Sequence, residues 1–156
     1  MSAIVTTLTP FFEQNLLLEA LDVLEVKYKI LNNNTIETER VDYYGNQSFV
    51  WQGNQYTYKH DSSANRESYG YKHLNIKQWK TVAAFLQAVE SEYINAYQRQ
   101  QNRIAQAERE RQEAIRQAYV QQQKQAITAK AKALGYSVKE NIIDNKVQLV
   151  LIRNVR

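Results

Sequence analysis

Residues 78–134 read QWKTVAAFLQAVESEYINAYQRQQNRIAQAERERQEAIRQAYVQQQKQAITAKAKAL, without a glycine or a proline. The breaker-free region extends back to Tyr71, in a chain of 156 residues with Gly 4, Pro 1 and Cys 0. Its first part carries apolar residues at helical spacing: Val82, Phe85, Leu86, Val89, Tyr93 and Tyr97. That stripe predicts a helix packed by one face onto a sheet. Beyond Tyr97 the composition turns to Gln, Arg, Glu and Ala, yet a seam persists. Val82, Tyr93, Ile104, Ile115 and Ala126 recur every eleven residues, a period nearly in phase with a straight helix. A second row, Leu86, Tyr97, Glu108, Tyr119 and Lys130, decays from apolar to polar.

A continuous helix from Gln78 to Leu134 spans on the order of 80 Å, whereas a domain of this length has a radius of roughly 15 Å. Part of the helix must therefore project, fold back or find a partner. Gly135 stands where a helix C-cap belongs, and Lys130 and Lys132 favour the last turns. Candidate partner-binding residues along the seam are Tyr97, Ile104, Glu108, Arg111, Ile115 and Tyr119. The Gln/Arg-rich part, residues 98–124, reads as an arm inserted within a single α+β domain covering 1–156.

Charge follows the same boundary. Tyr71–Leu134 holds eleven Lys/Arg against five Glu, a balance of +6, and the rest of the chain balances at −2. Basicity of this kind suits an acidic partner, a nucleic acid or plain solubility. The cations encircle the helix, and acidic residues sit among them at i, i+3 and i, i+4, as in Glu108–Arg111 and Arg109–Glu113. That is the pattern of a solvated helix rather than a nucleic-acid-binding stripe.

Outward from the helix, Ala3–Leu8 predicts a strand rich in β-branched residues. Thr9 and Pro10 have the chemistry of a helix N-cap and first helical residue. Leu16, Leu17, Leu18, Ala20, Leu21 and Leu24 predict an amphipathic helix ending near Glu25. Val26–Leu31 alternates as a strand, Asn32–Asn34 turns, and Thr35–Tyr43 returns as a polar strand on an edge or outer face. From Gln47 to His60 the pattern is a hairpin over Gly53-Asn54, with Gly first as a type II′ turn requires. Its register pairs Trp51 with Tyr56 and Phe49 with Tyr58, placing four aromatics on one face, where core packing is the expected use and an exposed base-stacking platform the alternative. Asp61–Gly70 is polar and predicts a loop, and Tyr71–Lys77 is irregular. A second hairpin, Tyr136–Ile142 and Lys146–Arg153, turns at Asp144-Asn145. Its last strand is apolar on both faces, which predicts a position inside the N-terminal sheet. The fold class expected is α+β: an antiparallel sheet, one short helix and one very long, partly projecting helix.

Catalytic and metal signatures are missing. The two histidines, His60 and His73, match no zinc spacing. The glycines are isolated, so no phosphate loop forms. Without cysteine, disulfides, iron–sulfur clusters and thiolate zinc are excluded. No catalytic residue, metal or cofactor is expected. Tyr58, His60, Asp61, Tyr69 and Tyr71 form the candidate ligand or nucleic-acid surface, since aromatics beside cations can stack bases. No apolar run approaches the roughly 18 residues of a membrane span, and the chain reads as cytoplasmic.

Phe49, Trp51, Gly53 and Tyr56, followed by Trp79, Val82, Phe85, Leu86 and Tyr93, then Gly135-Tyr136 and Val147–Arg153, resemble a conserved family of unknown function. It is found in cyanobacteria, algal plastid genomes and other bacteria and is marked by a Phe-x-Trp-Asn-Gly-x-x-Tyr hairpin. The chain departs from it at Thr57, Tyr58, Lys59 and His60, where the family has Glu-Leu-Val-Ala, and in the longer helical segment after Tyr93. Members are often encoded near AAA-type ATPases, so the resemblance implies an accessory or adaptor role and such an ATPase as a partner. The expectation is a non-enzymatic accessory protein that binds a protein partner or self-associates through the long helix. The alternative is a nucleic-acid-binding module using the basic helix and the Tyr-rich hairpin.

Overall fold

A computed structural model describes residues 3–62, 79 and 81–153. Two compact units divide the chain, Met1–Asn102 and Arg103–Arg156. In the first, strands β1 (Ile4–Leu8), β2 (Tyr28–Ile30), β3 (Ile36–Asp42), β4 (Gly45–Trp51) and β5 (Tyr56–Asp61) accompany helix α1 (Gln14–Val23). Helix α2 (Val82–Ala133) begins in the first unit and ends in the second, where β6 (Tyr136–Ile143) and β7 (Lys146–Arg153) follow. The class is α+β, with one short and one long helix.

The five-stranded sheet is antiparallel, in the order β1-β5-β4-β3-β2. The β4–β5 hairpin takes the expected register, Trp51 opposite Tyr56 and Phe49 opposite Tyr58, with Gly53 at φ +94. Only glycine adopts that backbone cheaply, and a two-residue turn of the primed type needs it. Phe49, Tyr56 and Tyr58 are buried in the core, with Trp51 packed against it. Ring centroids lie 4.6 Å apart for Phe49–Tyr58 and 5.6 Å for Tyr58–Phe85, which brings α2 onto this face of the sheet. Phe11, Leu16, Leu17 and Leu21 complete the core beside Val82 and Val89.

Three sequence expectations need correction. Helix α1 starts at Gln14, not after Thr9, whose hydroxyl donates to the Tyr56 carbonyl (2.6 Å). No side-chain cap closes α1. The Tyr93 hydroxyl of α2 instead accepts the N–H groups of Phe12 and Glu13 (3.1 and 3.0 Å), doing from a distance what a local cap does elsewhere. Strand β3 is neither an edge nor an outer layer: it lies between β4 and β2, with Ile36, Thr38 and Arg40 buried. Strand β7 pairs with β6 alone, in a separate two-stranded sheet, and does not enter the first one.

Helix α2 runs unbroken through Gln121–Gln123 to Ala133. The Thr81 hydroxyl accepts the Ala84 N–H (3.1 Å) at its start; the expected beginning at Gln78 lies outside the described residues. Gly135 follows at φ +83, and its N–H closes on the Lys132 carbonyl (3.1 Å). The β6–β7 turn places Asp144 and Asn145 at φ 50 and 58, the two positive values of a type I′ turn.

Candidate interaction surface

Tyr58, His60 and Asp61 do not form a surface. All three are buried and engaged within the first unit. The Tyr58 hydroxyl donates to Gln47 Oε1 (2.7 Å), which also accepts from Arg40 Nε (3.1 Å). Gln47 Nε2 donates to Asp42 Oδ2 (3.1 Å), and the same oxygen accepts the Asp61 N–H (2.6 Å). Arg40 reaches the Trp79 carbonyl through Nη1 (3.1 Å) and lays its guanidinium 4.4 Å from the centroid of Phe85. His60 Nδ1 lies 2.8 Å from the Asp61 carbonyl, and Nε2 lies 2.8 Å from the Thr7 hydroxyl. A carbonyl only accepts, so Nδ1 carries the hydrogen, and in the neutral ring Nε2 accepts from Thr7. These polar groups hold one another in a buried interior, where an unmatched one costs most. Base stacking on Tyr58 would require opening the core. Tyr69 and Tyr71 lie outside the described residues.

Arg40 and Gln47 carry this network, and the sequence reading missed both. The available signal was alternation: Ile36, Thr38 and Arg40 share a face, and β4 places Gln47 two residues before Phe49 on the inward side. On the outer face of the sheet, a concavity of about 550 Å³ is lined by Thr6, Glu37, Ser48, Thr57 and Lys59 among others. It is hydroxyl-rich and open, an ordinary solvated sheet face.

The second unit has the opposite character. Among its described residues Ala131 alone is buried. Ile104, Ile115 and Tyr119 are 58%, 64% and 62% exposed, and on the hairpin Ile142, Ile143, Leu151 and Ile152 are exposed as well. At about 100° per residue, Ile104, Glu108, Arg111, Ile115 and Tyr119 fall within a sector of about 80°. These five sequence-predicted residues therefore share one helix face. Tyr97, exposed on α2, belongs to the first unit.

The hairpin covers a different side. Val120, Lys124 and Ala131 are the better-buried positions of this stretch, roughly half a turn from the Ile104–Ile115 row. Lys124 pairs with Glu140 of β6. A groove of about 500 Å³ lies between α2 and the hairpin tip, lined by Glu113, Arg116, Val120, Lys124 and Lys146 among others.

Along the exposed helix, Arg111 donates to Glu108 (3.1 Å), the pair expected from spacing. Glu113 is engaged by Arg116 (3.0 Å) and Gln117 (3.1 Å) rather than by Arg109. The hydrogen bond from Arg116, then that from Gln117, holds the Glu113 carboxyl below its usual range. Exposed pairs of this type add little stability but keep a Gln/Arg-rich helix regular.

Among the described residues there is no group of three His, Cys, Asp or Glu placed to hold a metal ion. None of the described helices is long and apolar enough to cross a membrane. Comparison with protein-family models, with curated proteins and with solved structures returned no match.

Proposed function

We propose that this chain is a non-enzymatic protein-binding accessory module, with the second unit as its binding element. One observation carries the reading: most large apolar side chains of Arg103–Arg153 face solvent, and among the described residues only Ala131 is buried. An isolated two-stranded hairpin is marginal in water, and contiguous exposed apolar surface marks interaction sites. Strand β7 adds weight, because Val147, Leu149, Val150, Leu151 and Ile152 give it the composition of an interior strand at the edge of a two-stranded sheet. Such an edge is a template for pairing. The polar interior of the first unit fits a scaffold. The partner implied by the family resemblance, an AAA-type ATPase, is one protein this surface would serve.

Nucleic acid is the second reading, favoured by the +6 balance of Arg103–Arg156, eleven Lys/Arg against five Asp/Glu. Duplex and single-stranded probes in a salt series separate the two. The protein-binding reading expects no salt-dependent complex and expects the full chain to retain itself or another protein in affinity capture. A monomer that captures no protein but binds DNA or RNA with steep salt dependence would overturn it.

A further inference from the structure

We infer that the exposed α2 face of the second unit is occupied by a second copy of this chain, with the two helices antiparallel about a two-fold axis between Arg109 and Glu110. This deepens the protein-binding reading, on which it rests, by naming the occupant.

Residues 103–116 read RIAQAERERQEAIR, and the segment is close to its own reverse. Set antiparallel about the 109/110 midpoint, Ile104 faces Ile115 of the other copy, and Ile115 faces Ile104. Glu108 faces Arg111, and Arg111 faces Glu108. The reversal therefore matches apolar with apolar at the two outer seam layers, 104 with 115, and anion with cation at the two inner ones, 108 with 111. A two-fold interface demands this property, because each residue must suit the position that the symmetry places opposite it.

The spacing also fits helix packing. Ile104, Glu108, Arg111 and Ile115 are separated by four, three and four residues, which is the alternation of a coiled-coil seam. The midpoint places each seam position of one type against the other type, as antiparallel layers require. Ala105, Ala107 and Ala114 flank the seam and leave room for close approach. In the structure Glu108 and Arg111 already lie side by side, 3.1 Å apart, so both are aimed from the same face that carries Ile104 and Ile115. All of these residues are exposed, and the hairpin sits on the other side of the helix. A parallel pairing in register would set Glu108 against Glu108 and Arg111 against Arg111, which like-charge repulsion disfavours.

Sedimentation equilibrium of the full chain over a concentration series tests the inference, with helix content followed by circular dichroism. The wild type is expected to dimerise. Glu108→Arg places arginine against Arg111 twice and is expected to weaken the dimer by roughly a hundredfold at unchanged helix content. Arg111→Glu is expected to do the same, and the double variant to restore dimerisation. A dimer indifferent to Glu108→Arg overturns the inference, as does a wild type that stays monomeric. If that monomer still captures a foreign protein, the protein-binding reading stands while the inference falls; if it captures none, both fall.

Discussion

Glu25 closes α1 at φ 57, with its N–H on the Asp22 carbonyl (3.0 Å) and the Val26 N–H on the Leu21 carbonyl (2.9 Å). That pattern is a Schellman ending with a non-glycine residue in the left-handed position. Glu25→Gly is expected to stabilise the fold by about 0.5–1 kcal/mol, read from the urea midpoint. Tyr93→Phe removes the acceptor of two N–H groups ahead of α1 and is expected to cost about 1–2 kcal/mol in the same assay. The buried network predicts an ordering. Tyr58→Phe deletes one donor and should cost about 1 kcal/mol, whereas Gln47→Leu deprives Arg40, Tyr58 and Asp42 of a shared partner and should cost about 2–4 kcal/mol. Equal costs would mean that Gln47 is not the hub.

At the scale of elements, local chemistry was legible wherever it was self-sufficient. Gly53 and the aromatic alternation specified the β4–β5 register, Asp144-Asn145 specified the second hairpin, and the breaker-free stretch specified α2. The failures within the first unit share a cause, namely a partner distant in sequence, whereas β7 was misplaced because its apolar composition does not say which strand it pairs with. The start of α1 is set by Tyr93, some eighty residues away, so Thr9-Pro10 gave the wrong boundary. Strand β3 looked solvent-facing because Thr38 and Arg40 are polar, but Gln47, Trp79 and Phe85 satisfy them in the interior. Tyr58 is buried for a related reason, since Gln47 and Phe85 close over it. Of the candidate residues on α2, the face shared by Ile104, Glu108, Arg111, Ile115 and Tyr119 follows from spacing alone. Burial raises the Tyr56 hydroxyl above its ordinary range. An unfolded chain therefore ionises at this position first. The resulting stability is present below pH about 10 and is lost as pH rises through the folded value. Tyr56→Phe should move the alkaline unfolding midpoint upward; an unmoved midpoint would show that another group governs it.

For the whole molecule, charge and burial divide along the same line. Met1–Asn102 balances at −2 and encloses the core, while Arg103–Arg156 balances at +6 and, among its described residues, buries only Ala131. The first unit is completed by its own interior, and we propose that the second is completed by association. The central claim is that a second chain lies antiparallel along the Ile104–Ile115 face. Because the natural chain has no cysteine, engineered thiols report this without background. The decisive measurement is oxidative cross-linking of Ile104→Cys and Ile115→Cys variants, alone and mixed, read on a non-reducing gel. A disulfide-linked dimer is expected in the mixture and little from either variant alone. Efficient cross-linking of each variant with itself, or none in the mixture, would contradict it.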